Sequence, residues 1–106
     1  MSEYFPDKWV IVELIQDDGS KKLKVLASWY GGFTGSDSWK LSSGITNTEI
    51  DESGYEFLNY SGSKYFCHKN TYGMSGYTSM IYSEFVNEIG DRIRVLTEEE
   101  LEKLNA

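Results

Sequence analysis

Two apolar runs joined by a turn decide the fold: residues 9–30 read WVIVELIQDDGSKKLKVLASWY. Residues 9–15 are rich in β-branched side chains and too few for a stable helix, so this run predicts a strand. The Asp18-Gly19 pair that follows is a strong hairpin signal between two such runs. The return run, residues 21–30, alternates between apolar and polar side chains. The segment therefore predicts an antiparallel β-hairpin.

Alternation in the return strand predicts which side chains face the core, because successive side chains of a strand point to opposite faces. One face carries Leu23, Val25, Ala27 and Trp29. We therefore expect Trp29 to be mostly buried and Tyr30 to point to the other face.

Short apolar runs separated by turn residues continue beyond the hairpin. We expect strands near residues 38–41, 45–50, 55–60 and 64–68, since each is bounded by Gly, Ser, Asp or Asn. This part of the chain is therefore predicted to extend the β-structure.

The C-terminal third changes to helical spacing. Apolar residues from Tyr77 follow the i, i+3, i+4 pattern, and Gly90 is the expected helix stop. Residues 92–96 alternate as a last strand. Thr97 and Glu100 then form a capping-box pattern, which predicts a short helix to about residue 104.

This order of elements predicts an α+β fold in one globular domain, residues 1–106. We expect a curved antiparallel sheet of five to six strands with a C-terminal helix-strand-helix, since strands precede helices rather than alternate with them. The alternative architecture is a small, partly open β-barrel with helices.

Composition and charge exclude several classes of protein. Seventeen Asp and Glu against ten Lys and Arg give a net charge of −7, which argues against direct nucleic-acid binding. The single cysteine excludes an internal disulfide and fits a reducing cytoplasm. The longest unbroken apolar stretch, residues 9–12, is too short for a transmembrane helix or signal peptide. We expect a cytoplasmic protein without membrane association.

Cys67 and His68 are the residue types that could carry nucleophilic chemistry. Neighbours on a strand point to opposite faces, so the two cannot form a nucleophile–base pair with each other. One His and one Cys also make no zinc site without carboxylate ligands. The sequence therefore predicts no catalytic residues, no metal site and no cofactor, and we expect a protein that is not an enzyme.

Two Gly/Ser-rich segments, near residues 30–40 and 70–76, carry aromatic side chains that this small domain cannot all bury. Exposed Trp and Tyr on a rigid scaffold are typical anchors of protein interfaces and ligand pockets. Asp37, between two serines, serves either as an Asx-type turn residue or as a polar contact to a ligand. The candidate binding residues are Tyr30, Phe33, Asp37, Trp39 and Tyr72. We expect Tyr30, Phe33 and at least one of Trp39 and Tyr72 to line a common groove beside Asp37.

Four stretches resemble short proteins encoded by tailed bacteriophages: residues 29–32 (WYGG), 35–45 (GSDSWKLSSGI), 65–69 (YxCHK, where x is any residue) and 72–77 (YGxSGY). The resemblance spans roughly residues 5–80 and carries no catalytic residue. It implies expression inside a bacterial host, where small acidic phage proteins commonly bind and redirect host machinery.

We therefore expect a non-enzymatic binding protein, a phage accessory or host-modulating factor that acts through its aromatic loops on a host or phage protein. One alternative is an acidic mimic of nucleic acid, since residues 84–106 hold seven acids and three bases. Another is a protein that binds or sequesters a nucleotide or sugar. Its polar groups would be Asp37, Ser38, Lys40, His68 and Tyr72. For the binding protein, homo-oligomerisation through the same aromatic surface is a further possibility.

Overall fold

A computed structural model describes residues 2–32 and 35–105 and gives an α+β fold. The strands are β1 (Glu3–Tyr4), β2 (Lys8–Ile15), β3 (Lys21–Trp29), β4 (Ser38–Leu41), β5 (Ile45–Ile50), β6 (Gly54–Asn59), β7 (Lys64–His68) and β8 (Ile93–Val95), and the helices are α1 (Gly76–Ile89) and α2 (Glu98–Glu102). The predicted class is confirmed. The described strands form two sheets, and neither closes into a barrel.

Sheet B, in the order β4-β3-β2-β8, is built on the predicted hairpin. Strands β2 and β3 pair in register from Lys8 opposite Ser28 to Ile15 opposite Lys21. Gly19 takes a φ of 86° in the connecting turn, a backbone conformation that residues with a side chain rarely adopt. The two apolar runs and their Asp-Gly turn therefore form the hairpin that the sequence predicts.

Sheet A has the order β1-β7-β6-β5, with β5, β6 and β7 as an antiparallel meander. Strand β1 is an addition that the sequence did not predict. It pairs in parallel with β7 through Glu3 opposite Lys64 and Tyr4 opposite Tyr65. Two residues are too few to give a periodic pattern, so only tertiary pairing defines this strand.

The two sheets pack face to face around an aromatic core, which contains Trp9, Ile11, Val25, Ala27, Tyr55, Phe57, Tyr65 and Cys67. Helix α1 covers the other face of sheet B, where Val10, Val12 and Leu26 contact its residues Tyr82 and Phe85. Both faces of β2 and β3 are therefore buried, which explains the nearly continuous apolar run at residues 9–12.

Both helices begin at a side-chain N-cap. The Ser75 hydroxyl accepts a hydrogen bond from the Thr78 amide at 3.2 Å, so α1 begins one residue before the predicted Tyr77. Thr97 and Glu100 form the predicted capping box at the start of α2. Neither helix has the length and apolar character needed to cross a membrane.

Candidate functional site

Trp39 lies on β4, an edge strand of sheet B, opposite Ser28 of β3. Its indole packs edge-on against Phe85 of α1, with the ring centroids 5.8 Å apart and the planes at 79°. The side chain nevertheless remains 37% exposed. Trp39 is thus an aromatic group held in position by α1 and still accessible from solvent.

Tyr30 and Asp37 stand at the two ends of the loop that joins β3 to β4. Tyr30 is 55% exposed, and its amide donates a hydrogen bond to Asp7 Oδ2 at 2.8 Å. Asp37 Oδ1 accepts a hydrogen bond from the Gly31 amide at 3.0 Å. The Asp37 carboxylate therefore ties the loop ends together through a residue six positions earlier, which is a longer span than that of an Asx turn.

Phe33, the residue expected to join Tyr30 in a groove, lies outside the described residues. Trp39 and Tyr30 both belong to the end of sheet B where β3 leads into β4. Of the five candidate binding residues, Tyr30 and Trp39 are thus the two aromatic residues with exposed side chains among those that the structure describes.

Trp29 points to the inter-sheet face, as alternation predicts, and packs against the core there. Most of the side chain is buried, as expected, but part of it stays in solvent. The reason is its position at the last residue of β3, at the rim of the sandwich. There its indole N–H donates to the Phe5 carbonyl at 3.0 Å, and its ring lies 6.1 Å from that of Tyr4.

Tyr72 is partly buried and has a structural role. Its ring packs edge-on against Trp9 at 4.8 Å between centroids. Its hydroxyl donates to the Leu96 carbonyl at 2.7 Å and accepts from the Ile11 amide at 3.3 Å. Burial raises the pKa of Tyr72 to about 12, so the hydroxyl stays neutral. Tyr72 thus joins β2 to the segment that precedes α2, and its hydroxyl both donates and accepts a hydrogen bond within the fold.

Cys67 and His68 face opposite sides of sheet A, as predicted for neighbours on a strand. Cys67 is buried, and burial raises the pKa of its thiol well above the usual range. His68 is exposed, while its backbone carbonyl accepts a hydrogen bond from the Trp9 indole at 2.8 Å. Within the described part of the chain, no three His, Cys, Asp or Glu side chains cluster as a metal-binding group.

The polar groups considered for a small-ligand pocket are distributed over different surfaces. Lys40 projects from sheet B over the Tyr4 ring, with Nζ 5.4 Å from the ring centroid. His68 belongs to sheet A, where it lines a different depression of about 300 Å³. The Asp37 carboxylate accepts the hydrogen bond from the Gly31 amide. The fold therefore does not bring these groups into one pocket.

The acidic C-terminal segment is tied into the fold by Arg94. Its guanidinium donates to both Glu100 oxygens at 2.7–2.8 Å and to Glu13 Oε1 at 3.2 Å. The hydrogen bonds from Arg94 hold the pKa of Glu100 at about 2. Glu100 is therefore a structural ion-pair partner that connects α2 to β2 and β8.

Sequence reasoning missed an aromatic pair on sheet A. Phe5 is 63% exposed, and its ring stacks on that of Phe66 at 5.0 Å between centroids. Lys64, Phe66 and His68 are two residues apart, so all three lie on the outer face of β7. This alternation in the sequence could have indicated that Phe66 faces outward. Phe5 follows a two-residue strand and gave no such signal.

No family model, curated protein or solved structure matches this chain.

Proposed function

We propose that this protein is a non-enzymatic binding protein that recognises a partner protein through strand β4. The observation that carries the proposal is Trp39, whose indole is supported by Phe85 and yet accessible from solvent. An aromatic side chain that is already held in place loses little conformational freedom when a partner covers it. Tryptophans in such positions are frequent among the residues that dominate the affinity of protein interfaces.

The backbone of β4 supports the same surface. The Ser42 amide donates to the Val25 carbonyl at 2.9 Å, and hydrogen-bonded pairs alternate along an antiparallel ladder. Ser38 and Lys40 therefore bond to β3, while Trp39 and Leu41 direct their amide and carbonyl groups away from it. We propose that an extended segment of the partner adds to β4 as a further strand, with an apolar side chain on Trp39.

The other sheet edges are less suited to strand addition. β1 has two residues and β8 has three. β5 contains a register shift between Ile45 and Asn47, and the C-terminal turn at Lys103–Asn105 contacts it. Short edges and bulges discourage pairing with another chain. Strand β4 pairs regularly along its whole length, so it is the edge we assign to the partner.

The proposed partner is a protein of a bacterial host, and the chain would act there as an accessory or host-modulating factor. The resemblance to short phage-encoded proteins supports this context, and a net charge of −7 is in keeping with a protein partner rather than nucleic acid.

Pull-down from a bacterial lysate with the immobilised protein tests the proposal, with captured proteins quantified by mass spectrometry. Trp39→Ala and Tyr30→Ala should reduce recovery of the specific partner, because they remove exposed contacts without emptying the core. Trp39→Phe should retain much of it, since a ring still packs on Phe85.

Tyr60→Ala is the matched control, because Tyr60 is 77% exposed in the β6–β7 turn. It should leave recovery unchanged. Equal recovery with wild type and Trp39→Ala would refute the proposal. Light scattering on the purified protein then distinguishes a foreign partner from a second copy of the chain.

A further inference from the structure

The outer face of sheet A, which no helix of the described chain covers, presents cross-strand rows of side chains. One row runs from Glu49 on β5 to Glu56 on β6 and Phe66 on β7, because these residues are opposite one another in the register. Residues paired in this way share a face of the sheet. The row therefore carries two carboxylates beside an aromatic ring.

An apolar strip continues this row toward β1. Phe5 stacks nearly parallel on Phe66, with 12° between the ring planes, and leaves most of its own surface in solvent. Leu58 occupies the neighbouring row, opposite Lys64, and is half-buried. Exposed apolar side chains that adjoin one another, rather than being scattered singly, are typical of interaction surfaces.

The electrostatics of the row are unfavourable in the free protein. Glu49 and Glu56 stand directly opposite, and like charges in that position destabilise a sheet. Lys64 Nζ lies 3.3 Å from Glu56 Oε1 and offsets one of the two charges. Among the ion pairs of the described residues, none includes Glu49. A cation supplied from outside would relieve this repulsion.

The space beside the two glutamates is open. Asn47, Glu49, Glu56, Leu58 and Lys64 line a depression of about 170 Å³, and Glu49, Ile50, Asp51 and Glu56 line one of about 340 Å³. Asp51 adds a third carboxylate, whose Oδ1 accepts hydrogen bonds from Ser53 and Gly54. These bonds keep the pKa of Asp51 below its usual range, so it stays charged.

We propose that the outer face of sheet A binds a basic, amphipathic segment of a partner polypeptide. An apolar side chain of the segment packs on Phe5 and Phe66, and a Lys or Arg side chain lies between Glu49 and Glu56. We assign a basic occupant because of charge complementarity. Carboxylates flank the apolar strip, and Lys64, in the neighbouring row, already pairs with Glu56, so it does not also neutralise Glu49. A guanidinium also stacks well on an aromatic face, which favours arginine. The surface is independent of strand β4, since the two belong to different sheets.

The test uses a short synthetic peptide in which lysine alternates with leucine, titrated into the ¹⁵N-labelled protein. The expected result is chemical-shift change centred on β6 and β7. A counterpart peptide with glutamate in place of lysine should not bind.

Glu49→Gln should weaken binding of the lysine peptide by about fivefold at low salt. It should also raise the melting temperature of the free protein, because it removes one of two opposed charges. Phe5→Ala should weaken binding as well, and its exposure means that the core remains intact. Glu84→Gln on α1 is the matched control, with the same change of charge on another surface.

Three results would overturn the inference. One is the absence of binding by the lysine peptide, and another is a set of shifted amides that lies outside sheet A. The third is an equal loss of affinity in Glu49→Gln and Glu84→Gln, because that would reflect net charge alone. A combined rise in stability and fall in affinity in Glu49→Gln is the signature that a purely structural role would not produce.

Discussion

Trp39 and Phe85 couple the edge strand β4 to helix α1 through one edge-on aromatic contact, with 5.8 Å between ring centroids. The two residues are far apart in sequence, and neither is fully buried. The contact orients the candidate anchor of the binding surface, because without Phe85 the indole would have no aromatic support from α1.

Phe85→Ala should therefore affect both stability and recognition. We expect a loss of about 1–3 kcal/mol in the free energy of unfolding, as for truncation of a partly buried aromatic side chain. Recovery of the partner should fall because Trp39 is less well ordered, and its fluorescence should shift to longer wavelength. Denaturant titration and emission spectra measure these effects. Val86→Ala, at the next and more exposed position, should change stability and partner recovery only slightly.

Tyr72→Phe should destabilise the protein by about 1–2 kcal/mol. The change removes a hydroxyl that bonds to both Ile11 and Leu96, and it leaves the ring against Trp9. Partner binding should be unaffected at temperatures where the variant is folded. Loss of binding with normal stability would instead place Tyr72 in the interface.

The same hydroxyl predicts alkaline sensitivity. Folding raises the pKa of Tyr72 from 10.0 to about 12, so its contribution to stability is complete below the unfolded pKa. It is lost as pH rises through the folded value, because the unfolded chain releases the proton first. Thermal melts across this range should show a smaller alkaline loss in Tyr72→Phe than in wild type.

Gly54→Ala should be among the more damaging single-methyl additions. A Cβ at Gly54 would overlap the Cys67 carbonyl oxygen on β7. Forcing the strands apart should cost about 1–3 kcal/mol. Gly76→Ala is the control, since nothing lies within 4 Å of its added Cβ. Equal melting temperatures for the two variants would contradict this reading of the β6–β7 contact.

The ion pair between Arg94 and Glu100 predicts a specific acid response. Glu100 has its pKa lowered from 4.5 to about 2, first by hydrogen bonds from Arg94. Its stabilising contribution is present above 4.5 and is lost as pH falls toward 2. Glu100→Gln should lower stability at neutral pH and reduce the further loss on acidification. Glu99→Gln, one residue earlier on α2, is the control. Its free energy of unfolding, measured by denaturant titration at neutral and at acidic pH, should be closer to that of wild type.

Local sequence determined the elements of this protein and the direction of many side chains. The Asp18-Gly19 turn and the alternation of residues 21–29 specify the β2–β3 hairpin without help from elsewhere, because turn chemistry and side-chain period are local properties. Gly90 ends α1 at the predicted position for the same reason, since the end of a helix depends on neighbouring backbone groups.

Tertiary structure decided which faces meet and which remain open. Alternation assigns Trp29 to the inner face, but only its place at the rim of the sandwich leaves part of it in solvent. Composition could not separate Tyr72 from Trp39, because both are aromatic residues near glycine-rich segments. The position of Tyr72 between β2 and the segment before α2 makes it structural, whereas the edge position of β4 leaves Trp39 accessible. The opposition of Glu49 and Glu56 likewise exists only in the strand register, because pairing between distant segments is a property of the assembled sheet.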